Sequence, residues 1–508
     1  MKKLLISFLI VFSSIASYSN PLVTCDTVRV EGKLVLYLSL DHQYNGYYYG
    51  YLLGEKIMDV YENYVIQHAF GGASSYQAAR QAFDQYFTVD QKYIDIAQGM
   101  ITGMQDAGVS IYSPTLDEDL TYKDVLIANS IPDFTAFKGK LKIDGPGCSE
   151  LTSWGTSTQN DAFLNGETVI SRNLDWENHP ILIDNHLITV WLNPEPNTQK
   201  IITIGFTGMI GALSGVNESG IATFQNMGNH VSNPQGTGFY PINLAQRNGL
   251  EAEDYNGDGE CTPRDITDAV REHNVASSYI IHSAGSSSLD IPAEILEIHN
   301  SLGDSIRTQD LCDPFYPDNL VATNHHRILS DPVYCNRYRK ICDSLDYSTV
   351  MNVERNWDVL TTAGQPNNLQ TMQYTPQQEI IWLSYSTDDT PAYQIEPTQI
   401  YVDQLFTLVG IDYLYTWPET QLSVSPNPCE DFTRISLDAE KPGYFSCKIL
   451  DAGGKLIKDF GRKYQASKNG SFRWNTSEIP AGIYYCISEF ETGTENIKDS
   501  KKIVVIKQ

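Results

Sequence analysis

The chain has 508 residues, 41% hydrophobic and 19% charged, the composition of a folded protein rather than a disordered one. Lys plus Arg is 35 and Asp plus Glu is 62, so the balance is 35 − 62 = −27, which argues against a nucleic-acid partner because phosphate binding needs a basic face. The length exceeds one ordinary domain and suggests about three.

In chain order, the first signal is for export. Lys2 and Lys3 precede an apolar run from Leu4 to Phe12, and small and polar residues follow from Ser13 to Asn20. That is the pattern of a secretory signal peptide, assigned to 1–19, and its apolar run is too short to span a bilayer. Nine cysteines are an odd number, so an exported chain keeps at least one thiol unpaired. Residues 20–147 look helical and mixed. Leu53, Ile57, Val60 and Tyr61 recur at helical spacing, and Gln77 to Gln98 predicts a second helix.

From Cys148 the texture changes. Leu151 to Ser157, Thr168 to Asn173, Leu187 to Leu192, Lys200 to Phe206 and Ile221 to Gln225 are short β-rich runs separated by Gly, Asn and Pro. Several are apolar on consecutive residues, which predicts a sheet covered on both faces. An insertion at 253–273 reads as a calcium loop. Asp254, Asn256 and Asp258 offer side-chain oxygens, Glu260 its carbonyl, and Asp265 stands at the twelfth position, with Gly259 at the turn. Asp rather than Glu at that position is the dockerin-type choice; a single loop predicts a structural ion. Thr262 and Pro263 predict a helix start. A linker at 413–421 leads to strand-like runs Thr433 to Leu437, Tyr444 to Leu450, Ile483 to Ser488 and Lys502 to Ile506, which predict an all-β domain over 422–508.

The chemistry gathers around Gly147-Cys148. Ser171-Arg172-Asn173-Leu174-Asp175-Trp176 follows, then Gly215-Val216-Asn217-Glu218-Ser219-Gly220 leading to Gln225-Asn226. Ala322-Thr323-Asn324-His325-His326 and Asn336-Arg337-Tyr338-Arg339 complete the set. In this order the elements resemble the cysteine N-terminal-nucleophile (Ntn) hydrolases, in particular the choloylglycine hydrolase and penicillin acyltransferase group, with acid ceramidase more distant. The gap from Cys148 to Arg172 is longer than in the bile-salt enzymes, and the polar stretch Gln159 to Gly166 would absorb it.

The resemblance implies an α+β fold, a four-layer αββα sandwich with a helical pro-segment (20–147) before a catalytic domain (148–412). It implies self-cleavage between Gly147 and Cys148, with the processed subunits staying associated. The new α-amine of Cys148 (reference pKa about 7.7–8.0) then serves as base for its own thiol (about 8.5), so no separate histidine is required. Arg172 would stabilise the thiolate. Asp175, placed in the turn after its strand, would orient the amine, and Asn226 and Asn324 would donate N–H bonds to the oxyanion. Arg337 matches the family's late arginine, with Arg339 as the other choice. The implied reaction is hydrolysis of a linear amide C–N bond, in a small molecule or peptide, through an acyl thioester. Transfer of the acyl group to an amine is the alternative, and a non-catalytic, calcium-stabilised surface binding protein is the competing class. No organic cofactor is expected.

The last segment has its own resemblance. Ser425-Pro426-Asn427-Pro428, Asp451-Ala452-Gly453-Gly454-Lys455, Ile479-Pro480-Ala481-Gly482-Ile483-Tyr484-Tyr485 and the run from Lys501 to Ile506 resemble the C-terminal sorting domain of type IX secretion cargo. That implies the type IX secretion machinery as a partner and a secreted or cell-surface location.

Overall fold

The computed structural model describes residues 25–137, 147–193, 195–228, 234, 236–309, 311–312, 316–345, 350–407, 421–438, 443–451, 455–465, 469–491 and 496–507. The expected signal peptide, the stretch just before Gly147 and nearly all of the linker lie outside them.

The first strands are β1 (Asp26–Val30), β2 (Lys33–Leu38), the two-residue β3 (Tyr112–Ser113) and β4 (Glu118–Asp119), β5 (Gly147–Ser153) and β6 (Val169–Asp175). Next come β7 (His186–Trp191), β8 (Ile201–Phe206), β9 (Ser214–Asn217), β10 (Ala222–Met227), β11 (Ser278–Ala284) and β12 (Ala293–His299). β13 (Gly303–Arg307), β14 (Asn319–Ala322), β15 (Asn368–Thr375), β16 (Ile380–Tyr385) and β17 (Thr398–Tyr401) follow. Among the described residues, one sheet has nine strands in the order β1-β2-β7-β8-β9-β10-β11-β12-β13. A second has six, in the order β14-β5-β6-β15-β16-β17. Neighbours are antiparallel apart from β2 and β7, which run parallel.

Consecutive apolar residues in these strands have a physical reason. In the nine-stranded sheet, Val35, Ile188, Ile202 and Ile280 face the second sheet and pack with its Ile170, Leu320 and Met372. Their chain neighbours Leu36, Leu187, Ile201 and Ile281 face the other way, into a core shared with the N-terminal helices. Alternation along a strand thus feeds two cores. On the far side of the six-stranded sheet, Leu151 and Val321 pack with Ile341, Val359 and Leu360 from the helices Asn336–Ser344 and Val353–Thr361.

The N-terminal helices are α1 (His42–Asp59), α2 (Ala73–Tyr86) and α3 (Gln91–Asp106), and α1 runs on into a π-helical stretch, Val60–Ala69. The single helix expected from Gln77 to Gln98 is two. The chain leaves the helix at Phe87 because Phe87 bridges to Phe239 and the Thr88 N–H donates to the Phe239 carbonyl. Tertiary pairing overrides local propensity there. Strand β5 also starts at Gly147 and ends at Ser153, earlier than the expected Leu151 to Ser157, and a short helix at Gly155–Thr158 takes the remainder.

The C-terminal region is all β: β18 (Gln421–Ser425), β19 (Phe432–Asp438), β20 (Gly443–Asp451), β21 (Leu456–Gln465), β22 (Asn469–Asn475), β23 (Gly482–Glu491) and β24 (Asn496–Val505). They form a three-stranded and a four-stranded sheet around Ile435, Phe445, Ile449, Trp474, Tyr484 and Ile503. Among the described residues, no helix is long and apolar enough to cross a membrane.

Helices α1 and α3 touch through backbone. A Cβ added at Gly46, Gly50, Gly99 or Gly103 would lie 2.0, 2.0, 2.2 or 1.9 Å from a carbonyl oxygen of the opposite helix. No side chain can move aside to relieve that contact. Gly50→Ala should therefore destabilise the protein by about 3 kcal/mol, the upper end for overpacking. A lowered urea midpoint would be the expected result, and an unchanged midpoint would mean that the two helices separate freely.

Candidate active site

Strands β5 and β6 bring the first residues together. They pair antiparallel with Gly147 opposite Asp175, Cys148 opposite Leu174, and Glu150 opposite Arg172. Residues directly opposite share a face, and so do residues two apart. Cys148, Glu150 and Arg172 therefore project from one face, toward the nine-stranded sheet, while Asp175 belongs to the opposite parity.

Arg172 is only 1% exposed, and its guanidinium is held at several points. Nη1 donates to the Leu213 carbonyl at 2.6 Å and the Ser214 hydroxyl at 2.5 Å; Nη2 donates to the Gln225 carbonyl at 2.6 Å. The acceptors come from β9, β10 and the residue before β9. So anchored, Nη2 also meets the Cys148 Sγ at 3.2 Å. The thiol is fully buried, and burial pushes it up to about 11 against the pull of Arg172, with Glu150 adding to the rise.

A second group fixes the backbone of Cys148. Its N–H donates to Asn324 Oδ1 at 2.9 Å, and its carbonyl accepts from Arg337 Nη1 at 2.5 Å. Arg337 also donates to Asn324 Oδ1 at 2.5 Å and, more loosely, to Asp175 Oδ2 at 3.3 Å. Asn368 donates to the other Asp175 oxygen at 3.0 Å. Burial raises the Asp175 carboxyl from 3.8 to about 6, against the pull of Arg337.

The structure thus gathers Cys148, Arg172, Asp175, Asn324 and Arg337. It separates the two late arginines: Arg339 is exposed and pairs with Asp343 on its own helix at 3.1 Å. Asp175 is the last residue of β6 rather than part of the following turn, and a register shift in β15 between Asn368 and Gln370 lies beside it. Asn324 presents its oxygen, not its amide, to Cys148; its Nδ2 donates to the Met227 carbonyl at 2.7 Å. Asn226 is buried on β10, with Nδ2 at 3.5 Å from the Thr323 carbonyl and an oxygen that has no hydrogen-bond partner among the described residues.

Two features escaped sequence reading. Glu150 is fully buried on the Cys148 face; the period-two pattern would have flagged it had the strand been started at Gly147. Directly after Asp175, Trp176 Nε1 donates to the Tyr64 hydroxyl at 2.6 Å, and Glu177 meets His68 Nε2 at 2.6 Å. Tyr64 and His68 belong to the π-helical stretch. Nothing in the sequence links them to position 176. Beside them lies an apolar cavity of about 50 Å³ lined by Tyr61, Tyr64, Trp176, Phe206, Met209 and Leu213.

The expected calcium loop folds around its own amides. Asp254 accepts from the N–H groups of Gly257, Asp258 and Gly259 at 2.8–3.2 Å. Asn256 accepts from Asp258, and Asp258 from Glu260. Gly257 and Gly259 take positive φ, +78° and +94°, which lets the chain curl. Asp265 is buried and accepts from the Tyr255, Asn256 and Thr262 amides, capping the helix Pro263–Arg271. Among the described residues, no three His, Cys, Asp or Glu side chains are arranged to hold a metal ion.

Residues 423–506 match the family model of the secretion system C-terminal sorting domain. The chain therefore carries a type IX sorting domain at this end, which directs it to secretion or the cell surface. No curated protein matches by sequence. Among solved structures, the chain is similar to the Caenorhabditis elegans N-acylethanolamine-hydrolyzing acid amidase ortholog at 12% identity and a TM-score of 0.34, over 50% of this chain and 100% of that one. A mutant conjugated bile acid hydrolase from Clostridium perfringens aligns at 8% identity and a TM-score of 0.30, over 51% and 94%. Latent dimeric PorU from Porphyromonas gingivalis aligns at 9% identity and a TM-score of 0.17, over 73% and 30%.

The raised pKa of Asp175 gives a pH signature. Its contribution to stability is fully present below about pH 3.8 and is lost as pH rises through about 6. Asp175→Asn keeps the shape and removes this dependence. Relative to that variant, the wild type should lose about 2–3 kcal/mol in urea unfolding between pH 4 and pH 7. A pH-independent difference would mean that Arg337 already offsets the burial.

Proposed function

We propose that this chain is a secreted, self-processing cysteine hydrolase of the N-terminal-nucleophile class, with its fold read as the four-layer αββα sandwich and Cys148 as nucleophile. The observation that carries the reading is that one residue is held at three atoms: Sγ by Arg172, the backbone nitrogen by Asn324, and the carbonyl by Arg337.

Each restraint has a use in such a mechanism. In the uncut chain, the thiol attacks the Gly147 carbonyl and the nitrogen of Cys148 leaves, taking up a proton. Water hydrolyses the resulting thioester, leaving a free carboxylate on Gly147 and an amine on Cys148. Gly147 suits the position, since even a Cβ there would lie 3.3 Å from the Asp175 carbonyl oxygen. After the cut, the Asn324 oxygen that accepted from the amide can accept from the amine. The amine takes the thiol proton as Sγ attacks a substrate amide, and it returns the proton to the departing amine. Arg172 favours the thiolate. Of the two asparagines, Asn226 has the freer amide to serve as oxyanion donor, since its contact with Thr323 is long at 3.5 Å while the Asn324 amide donates to Met227 at 2.7 Å. The apolar cavity beside Trp176 and Leu213 suits an apolar acyl part. Acyl transfer uses the same thioester when an amine, instead of water, reaches it.

Association of the two pieces after cleavage has a structural basis. The segment before Gly147 contributes β1 and β2 to the nine-stranded sheet and α1–α3 to the core that contains Cys148 and Leu174.

The test is intact mass and N-terminal sequence of the secreted protein beside Cys148→Ala. A chain beginning at Cys148, absent in the variant, is expected. An uncut chain in both, with calcium supplied, would overturn the reading and favour the binding protein.

We also propose a structural calcium ion held by Asp254, Asn256, Asp258, the Glu260 carbonyl and Asp265. The donor set is all oxygen, as calcium requires; Asp254 Oδ2, Asn256 Oδ1 and Asp258 Oδ1 each accept one N–H and keep a second lone pair, while Asp265, whose two oxygens each accept two hydrogen bonds, would exchange one of them for the ion. Calcium at about one hundred times its Kd should add about 2.7 kcal/mol and raise Tm by several degrees. The chelator EGTA should reverse this, and Asp258→Ala should abolish the response; a melt indifferent to calcium would remove the ion from the account.

A further inference from the structure

We propose that Glu150 and His282 are positioning residues for Arg172: a buried pair that shares the guanidinium charge with the Cys148 thiolate and so sets the pH at which the nucleophile ionises. This rests on the reading of Cys148 as nucleophile.

The geometry is a chain of contacts behind the site. Glu150 and His282 are both fully buried. Glu150 Oε1 lies 3.7 Å from Arg172 Nε, and its Oε2 lies 3.2 Å from His282 Nδ1. His282 Nε2 meets the Thr152 hydroxyl at 2.8 Å. His282 stands on β11 of the facing sheet, so the relay bridges the two sheets through the side chains of β5.

The other acceptors of Arg172, namely Leu213, Ser214 and Gln225, are neutral. Among the described residues, the anion on the guanidinium's face is Glu150, across the strand pair; Asp175, on the opposite face of the same strand, interacts with it electrostatically. Asp175 has Arg337 as its own cation at 3.3 Å. Glu150 is therefore the anion that competes with a thiolate for Arg172.

The 3.7 Å separation matters. It is too long for a hydrogen bond, and among the described residues neither Glu150 Oε1 nor Arg172 Nε has a hydrogen-bond partner, although both are buried. A pair selected only to hold the sheets together would close, because buried groups left without partners cost stability. His282 holds the other carboxylate oxygen and keeps the pair open. With Glu150 held toward His282, more of the Arg172 charge is left for sulfur. The rise in the Cys148 pKa has a Glu150 contribution in the sense this requires.

The experiment follows iodoacetamide labelling of Cys148 against pH in the full-length protein, read at Cys148 by peptide mass mapping. Self-cleavage is followed in parallel by intact mass. In the labelling reaction the thiol proton is lost to water and iodide is displaced by sulfur. Glu150→Gln should lower the labelling midpoint by about one pH unit, since it removes a like charge. Glu150→Asp, which keeps the charge, should stay near wild type. His282→Asn, which frees Glu150 to approach Arg172, should raise the midpoint; this variant also carries the test if Glu150→Gln fails to fold. Midpoints unchanged in folded Glu150→Gln and His282→Asn would overturn the proposal and leave a structural contact. Shifted midpoints without self-cleavage in any protein would uphold the pair and sink the hydrolase reading. Self-cleavage with unmoved midpoints would do the reverse.

Discussion

A cation sealed between two sheets is the constraint around which the centre of this protein is arranged. A guanidinium with 1% exposure has lost nearly all its water, and that loss is tolerable only where its N–H groups find fixed acceptors. Arg172 finds them in the carbonyls of Leu213 and Gln225 and the Ser214 hydroxyl. Those atoms belong to the sheet opposite its own, so satisfying the charge also sets the spacing of the two sheets at this point. Sγ of Cys148 then meets a charge whose direction has already been fixed. The site is preorganised by the fold, not by its ligands.

The same residues show what a sequence can and cannot display. Cys148, Arg172, Asp175, Asn324 and Arg337 were legible because a recognisable order of short motifs carried them. The choice between Arg337 and Arg339 was not, since both sit in one short motif; helix geometry turns one inward and leaves the other in water. The consecutive apolar runs revealed sheets covered on both faces, because strand periodicity depends only on local backbone. The pairing of Glu150 with His282 was invisible, since no pattern connects residues 132 positions apart. The break at Phe87 was hidden for the same reason: its cause is Phe239, far along the chain. The side-chain roles were also inverted in one case. Type alone made Asn324 a donor, and only its partners show that its oxygen faces Cys148.

The N-terminal helices are part of the body that holds Cys148 rather than a cover laid over it. Glycines at the α1–α3 crossing let two backbones meet, and the same helices close the core beneath the strand that carries Leu174. The π-helical continuation of α1 delivers Tyr64 and His68 to the residues that follow Asp175. Chain on both sides of Gly147 thus builds the surroundings of Cys148.

The parallel pairing of β2 with β7 carries a further consequence. In one continuous chain these strands are joined by a tether, and their pairing costs only the closure of a loop. If the tether is severed at Gly147, as proposed, the same pairing becomes a meeting of two molecules and depends on their concentration. The folded assembly would persist because its parts were brought together before the break. Unfolded, it would have no equivalent route back, so its lifetime would be governed by an escape rate and not by an equilibrium. A protein cut in this way would fold once, and its architecture would preserve a connection the chain no longer contained.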